Sequence, residues 1–355
     1  MPEKPFVAFY LPQEVWVPTA IEKLEDFGTL HNLLEEFTFS TTRRNFDLKA
    51  CRDGMFFLHI PVMEAKVRPA GKDFDATVGW WSEFFDYINA FFLILDHALL
   101  EREKFAYFEM TQIDKTQVFR ASLEDCTVKS MGWGGNTKSA SSYFMHRRMF
   151  AAQFRDLQEE AGRRLGQSAA DSMRDRLNTF LFLGMKFALK EATLDLACDI
   201  FDALLTRPYF VKDYAELAKA LAEYKRGDYE TALILTWFVV EKWLSNDWND
   251  FIISKNRADC GGQRISTGRM ESLKSGRDYS ASIRSNMLEL ADMLPCDLYR
   301  EIDEVRRSRN KVVHTDKNFV CRSSHAQQGL QTALRYLVHK GGADLKLNFS
   351  QQSMG

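Results

Sequence analysis

The residues best suited to chemistry are Arg309, Asn310 and His314, close together near the end of the 355-residue chain. A histidine, whose unperturbed pKa is about 6.5, can accept or donate a proton near neutral pH. An arginine presents a planar fork of N–H donors that fits phosphoryl or carboxylate oxygens. Asn310 precedes His314 by four residues, so on a helix both lie on the same side. These residue types could move a proton and stabilise negative charge at one anionic group.

The surrounding pattern predicts the helix that carries these residues. Leu298, Ile302 and Val305 follow at spacings of three or four residues, which indicates one apolar helix face. At about 100° per residue, Arg309 falls in the middle of this face. A charge buried there without a partner is costly, so Arg309 must be paired or directed into a cleft. His314 lies about 140° from Arg309 on the same wheel, so one anionic group reaches both only if the helix frays or a partner chain supplies the histidine.

Glu241 is the predicted partner of this arginine. It lies in a long helix, residues 229–253, whose apolar residues cover most sides. We expect Glu241 and Arg309 to form an ion pair inside the helical bundle, which would hold the guanidinium in place. A simpler interpretation stays open: Arg309 only neutralises a buried glutamate, His314 is a cation near the last helix carbonyls, and Asn310 is a surface residue.

The rest of the chain predicts two domains. An apolar fraction of 45% with 28 Phe indicates a folded protein, and the net charge of −2 gives no indication of a nucleic-acid partner. The first part, residues 1–207, is predicted to be an α+β domain that ends where Arg207-Pro208 interrupts the helical pattern. Strands are predicted at residues 6–11, 38–42, 46–49 and 55–60, a hairpin at 105–110 with 117–121, a flexible loop at 131–142, and helices at 77–104, 143–165 and 168–205.

The second part, residues 208–341, is predicted to be an all-α bundle followed by a flexible tail at 342–355. The alternative of a tetratricopeptide-like hairpin around residues 220–233 has no second copy along the chain. Helices are predicted at residues 211–224, 229–253, 282–294, 298–315 and 323–340, with a loop rich in Gly, Ser and Arg at 257–277.

This C-terminal pattern resembles the HEPN superfamily. The resemblance covers residues 211–340 and rests on a helical hairpin, a long second helix containing Glu241, a connector, and a helix ending in Arg309-Asn310-Lys311-Val312-Val313-His314. The hallmark of the superfamily is an arginine, a polar residue and a histidine a few positions later. The N-terminal part of the chain is not covered.

The resemblance implies an endoribonuclease that needs neither metal nor cofactor and acts as a homodimer, with the motifs of two protomers facing one cleft. RNA would be cut by attack of its own 2′-hydroxyl, which requires a base, an acid and positive charge at the phosphorus. Arg309, Asn310 and His314 would be the catalytic residues, with Glu241 supporting them. The alternative is a catalytically inactive HEPN module for nucleotide or RNA binding or for dimerisation.

The long domain that precedes the predicted ribonuclease suggests that the ribonuclease activity is regulated. Residues 1–207 would sense a trigger ligand, protein or nucleic acid, and proteins of this layout resemble toxins and abortive-infection factors of antiviral defence. RNA contacts are expected from the basic connector and from the motif helix, although a solvated loop would have a similar composition. The candidate RNA-binding residues are Arg264, Arg269, Arg306, Arg307 and Lys311.

Other chemistry receives less support. The six cysteines form no C-x-x-C pair, so neither a zinc site nor a disulfide framework is predicted. His97 and Glu101 share a helix face without a third metal ligand, and the glycine-rich stretch 131–142 lacks the second glycine of a Walker phosphate loop. The start of the chain does not resemble a secretory signal and the apolar run 84–100 contains charged residues, so we expect a cytoplasmic protein without a membrane anchor.

Overall fold

The computed structural model describes residues 5–13, 15–17, 37–52, 54–70, 74–104, 106–108, 111–113, 118–124, 127–133, 136–138, 187–256, 258–259, 262–275, 279–314 and 319–350. The chain divides into two compact units. The first comprises Met1–Phe85 and Ile113–Asp202, and the second comprises Asp86–Gln112 and Ala203–Gly355. The predicted division at residues 207 and 208 lies near the last of these boundaries. The prediction placed Asp86–Gln112 in the first domain, whereas the structure places it in the second unit. The reason is that the sequence prediction divided the chain at a single point.

The first unit contains a seven-stranded antiparallel sheet in the order β3-β4-β5-β1-β6-β7-β8. β1 lies in its middle and pairs with β5 and β6, with Val7 opposite both Leu58 and Arg120. The residues of β1 and β5 are buried almost without interruption, as expected of strands covered on both faces. The strands are β1 Pro5–Tyr10, β2 Val15–Trp16, β3 Phe37–Thr42, β4 Asp47–Cys51, β5 Met55–His59, β6 Val118–Glu124, β7 Thr127–Trp133, β8 Asn136–Lys138 and β9 Phe187–Ala188.

Four predicted strands and the long helix are confirmed, whereas two N-terminal predictions are wrong. Residues 106–108 are not a strand, and β6 pairs with β1 and β7 instead of forming a hairpin with them. The predicted loop 131–142 contains the end of β7 and all of β8, because strand pairing outweighs the turn propensity of its glycines. Residues 139–142, the predicted helix at 143–165 and residues 168–186 of the predicted helix at 168–205 lie outside the described residues. In the rest of that predicted helix, Glu191–Leu205 is helical but Phe187–Ala188 is a strand, because it pairs with Val15–Trp16.

The helices in the described residues are α1 Pro61–Ala70, α2 Phe74–Glu103, α3 Glu191–Leu205, α4 Val211–Lys225, α5 Tyr229–Lys255, α6 Thr267–Lys274, α7 Ala281–Leu290, α8 Cys296–Val313 and α9 Ser323–His339, with a 3-10 turn at Pro208–Phe210. The α4–α5 connection uses Gly227 at φ +84° and Asp228, whose carboxylate accepts from the Thr231 N–H at 3.0 Å. The five predicted C-terminal helices are therefore confirmed. The coarse class, an α+β part followed by a helical part, is also as predicted.

α5 is the centre of the second unit, since α4, α7, α8 and α9 all pack on it. Its apolar residues are buried on several sides, with Leu233, Val240 and Leu244 fully enclosed. The connector 257–277 was predicted as a loop. It contains the short pair β10 Ala258–Asp259 and β11 Gly262–Gln263 as well as α6, because Ile265 packs against Trp248 and anchors it to α5.

Residues 343–350, here called the C-terminal strap, were predicted as part of a flexible tail. The structure differs, because Leu345 and Asn348 are buried. Tyr214 donates to the Ala343 carbonyl at 2.6 Å, and the Phe349 ring packs against Tyr224. Alternating apolar residues give this segment one face that can bury. In the described part of the chain, no helix is long and apolar enough to cross a membrane.

Candidate functional site

α8 presents the apolar face that the sequence predicts. Leu298, Ile302 and Val305 are buried with at most 2% of their surface exposed. Arg309, one turn further along the same face, is half-buried. The charged residue thus sits where the core ends and not inside it, which lets its guanidinium reach beyond the apolar packing.

Arg309 contacts its neighbour in the motif. Its Nη1 donates to the side-chain oxygen of Asn310 at 3.2 Å. Its Nε is buried and forms no hydrogen bond within the described residues. No described carboxylate forms an ion pair with this guanidinium.

His314 follows the last residue of α8. Its backbone N–H donates to the Asn310 carbonyl at 2.9 Å, and its φ and ψ of −89° and 11° continue the turn of the helix. The side chain is exposed. Because the helix does not unwind before His314, the predicted separation of about 140° from Arg309 still applies. One protomer therefore presents the two side chains in different directions.

Glu241 lies within electrostatic reach of a different arginine from the one predicted, and no ion pair joins it to either arginine in the described residues. Among the described residues, no hydrogen bond or ion pair joins Glu241 to Arg309. The arginine near Glu241 is Arg284 of α7, which is buried and donates to Ser245 Oγ at 2.7 Å and to the Lys274 carbonyl at 3.0 Å. Burial lowers the pKa of the Arg284 guanidinium, and the charge of Glu241 acts in the opposite direction.

Arg306 and Arg307, two predicted RNA contacts, share one carboxylate. Arg306 binds Asp303 through Nε and Nη2, at 3.1 and 2.6 Å, while Arg307 binds the other oxygen at 2.6 Å. Asp303 therefore offsets part of their positive charge. Arg307 keeps most of its side chain exposed and can still reach a phosphate, whereas Arg306 is held against the helix.

The other predicted RNA contacts are exposed. Arg264 follows β11 and Arg269 lies on α6. Neither forms a hydrogen bond or ion pair with the motif within the described residues. The structure therefore supports their accessibility and does not bring them into contact with Arg309 or His314.

Lys311 belongs to a cluster that the sequence did not suggest. Its ammonium lies 5.4 Å from the centroid of the Phe319 ring, and that ring is 5.1 Å from the imidazole of His325. The backbone N–H of Arg322 donates to Nδ1 of His325 at 3.0 Å. His325 showed no partner in the sequence. Its position three residues after Arg322 was the available signal, because a residue at that spacing can reach back to the start of a helix.

The arrangement has the parts needed to hold an anion and move a proton: an unneutralised guanidinium, an amide oriented by it, an exposed imidazole and nearby cations. Within the described residues, no group of three or more His, Cys, Asp or Glu side chains comes together as metal ligands would. Comparison with protein-family models, curated proteins and solved structures gives no match.

Proposed function

We propose that this chain is a metal-independent HEPN-type endoribonuclease that cuts RNA by 2′-hydroxyl attack at a site shared by two protomers. The observation that carries the proposal is the state of Arg309. It extends from the apolar face of α8, contacts Asn310 and has no acidic partner among the described residues, although other arginines of the same helix are paired. A guanidinium left with unused donors beside a histidine suits a phosphodiester.

Each residue has a proposed role. Arg309 would bind the phosphate oxygens and stabilise their charge in the transition state. His314 would transfer a proton to or from the reacting oxygens, since an exposed imidazole can act as base or acid near neutral pH. Asn310 would hold the guanidinium. Since both side chains point in different directions from one helix, the His314 that completes a site would come from the partner protomer.

Incubation of the full-length protein with mixed RNA in EDTA tests the proposal. The wild type should release fragments ending in a cyclic 2′,3′-phosphate, and His314→Ala should reduce the rate by at least about a hundredfold. His339→Ala is the matched control, because His339 is an exposed histidine on α9 outside the motif and should leave the rate unchanged. Cleavage by His314→Ala at the wild-type rate would exclude the proposed site.

The alternative function, a catalytically inactive RNA-binding or dimerisation module, would give RNA binding without any cleavage. A regulated toxin or abortive-infection factor is the biological role we propose for the active enzyme. Its N-terminal unit would then respond to a trigger ligand or protein. Expression in a bacterial host tests this role: the wild type should slow growth in the presence of the trigger, whereas His314→Ala should not.

A further inference from the structure

His325 carries a hydrogen-bond donor without a partner. It lies in the first turn of α9, and its Nδ1 accepts the backbone N–H of Arg322 at 3.0 Å. Because Nδ1 accepts, the neutral imidazole carries its proton on Nε2. Within the described part of the chain, Nε2 forms no hydrogen bond. The ring is only partly exposed, and Nε2 itself is open to solvent, so this N–H can donate to an incoming polar ligand.

Two cations flank this imidazole. Lys311 reaches it through Phe319, whose ring contacts both side chains, and Arg322 begins the turn that holds it. Both cations are exposed, and neither forms an ion pair with any described residue. By contrast, Arg335, further along α9, is bound by Asp297 and Glu301. Within the described residues, no carboxylate offsets the positive charge beside His325.

The electrostatics agree with this arrangement. Partial burial lowers the pKa of His325, and the charges of Arg322 and Lys311 lower it further. The imidazole is therefore neutral at neutral pH and can donate its single N–H without adding charge. An anion bound between the cations would offset them and raise the pKa of His325 again.

We propose that Lys311, Arg322 and the Nε2–H of His325 form a second phosphate subsite, which binds a backbone phosphate of single-stranded RNA beside the one at the Arg309–His314 motif. This inference rests on the proposed function and extends it. Lys311 lies three residues before His314, within one helical turn, which makes the subsite continuous with the motif. Phe319 offers an aromatic side chain beside the phosphate, as in proteins that bind unpaired bases.

Binding of a 2′-O-methyl single-stranded RNA, which lacks the attacking hydroxyl, tests the subsite separately from cleavage. We expect Arg322→Gln to weaken binding about fivefold, as for loss of one phosphate contact, and to lower the slope of log K against log salt by about 0.7. Arg300→Gln is the matched control, because Arg300 is exposed on α8 several turns from the motif. It should change neither quantity. Unchanged thermal unfolding would show that both variants fold.

A second measurement follows the histidine itself. The pKa of His325, measured by NMR from its ring protons, should rise when the RNA analogue binds to the wild type. A merely structural imidazole would not respond. The His325→Gln variant identifies the resonance and should also bind the analogue more weakly.

The outcomes separate this inference from the proposed function. Unchanged binding by Arg322→Gln, in a protein whose RNA cleavage depends on His314, would overturn the subsite alone. Weakened binding by Arg322→Gln without any cleavage would support the subsite and overturn the enzyme. Failure of the wild type to bind the analogue would overturn both, and equal binding of a duplex would overturn the preference for single strands.

Discussion

The backbone N–H of Lys346 donates a hydrogen bond to Nδ1 of His97, with 2.8 Å between the two nitrogens. This bond joins the C-terminal strap to α2 and requires a neutral imidazole. Burial lowers the pKa of His97 below its ordinary value, so the bond persists at neutral pH. The neighbouring carboxyl of Asp96 is fully buried and forms no hydrogen bond in the described residues.

The first prediction concerns this carboxyl. Burial raises the pKa of Asp96 to about 7, against the opposing charge of Lys225. The folded state therefore holds a proton that the unfolded state releases, and stability falls as pH rises from about 4 to about 7. Asp96→Asn removes this loss. From about pH 5 to about pH 8, the difference in free energy of unfolding between Asp96→Asn and the wild type should shift in favour of the variant by about 3 kcal/mol, measured by urea unfolding.

His97 gives the opposite dependence and serves as the control. Because the pKa of His97 is lowered in the folded protein, the unfolded chain binds the proton first as the pH falls. The contribution of His97 to the free energy of unfolding is therefore lost as the pH falls below about 6.5. In His97→Gln the acid-side loss should shrink, while the loss between about pH 4 and about pH 7 due to Asp96 should persist. If the difference in free energy of unfolding between Asp96→Asn and the wild type does not change with pH, the raised pKa of the buried Asp96 is contradicted.

The second prediction concerns the close approach of α9 to α5. A methyl group at Gly329 would lie 2.7 Å from Thr236 Oγ1 and 3.1 Å from Leu233 Cδ1, both in the core. Gly329→Ala should therefore destabilise the protein by about 1 to 3 kcal/mol through overpacking. Gly268→Ala is the matched control, because no atom lies within 4 Å of the new methyl group and the residue is in α6. Gly268→Ala should raise the thermal midpoint or leave it unchanged. An unchanged thermal midpoint in Gly329→Ala would contradict the close approach of α9 to α5.

The third prediction concerns the partner of Glu241. A double-mutant cycle of Glu241→Gln with Arg284→Met should give a coupling free energy of about 1 kcal/mol, because the charge of the half-buried Glu241 acts on the buried guanidinium of Arg284. The cycle of Glu241→Gln with Arg309→Gln should be additive within about 0.5 kcal/mol. Coupling to Arg309 in place of Arg284, measured by chemical unfolding, would restore the ion pair expected from the sequence.

This exchange of partners shows what apolar periodicity can and cannot predict. The spacing of Leu298, Ile302 and Val305 predicted the buried face of α8, since burial repeats with the helical turn. It also placed Arg309 on that face, although only the structure shows that the core ends before this residue. The same argument could not identify the arginine beside Glu241, because a helical wheel does not contain the neighbouring helices. Arg284 is itself a charged residue on α7, and its spacing of four residues from the buried Leu288 does not say which side chain of α5 it faces.

Long-range pairing explains the other differences. The strap contains Leu345, Leu347 and Phe349 in alternation with polar residues. This pattern indicates burial only when α2 and α4 are present to pack against it. Its position at the end of the chain favoured a flexible tail. In the same way, His325 becomes a candidate ligand-binding residue only beside Lys311 and Phe319, and nothing in its immediate sequence indicates a site.

The fourth prediction tests the shared site directly. In a symmetric homodimer each site would take Arg309 from one protomer and His314 from the other. Arg309→Ala and His314→Ala proteins should each be inactive. Mixed in equal amounts and allowed to exchange subunits, they should recover about a quarter of wild-type activity, because half of the dimers are mixed and each has one intact site out of two.

The control for this experiment is a mixture of His314→Ala protein with Arg309→Ala/His314→Ala double-mutant protein, which contains no intact histidine and should stay inactive. Mass measurement by light scattering should show a dimer for every variant. If both single variants are dimeric, exchange subunits and yet stay inactive when mixed, the site is not shared. Arg309 and His314 would then have to act within one chain, which requires α8 to unwind between them, contrary to the hydrogen bond from the His314 N–H to the Asn310 carbonyl.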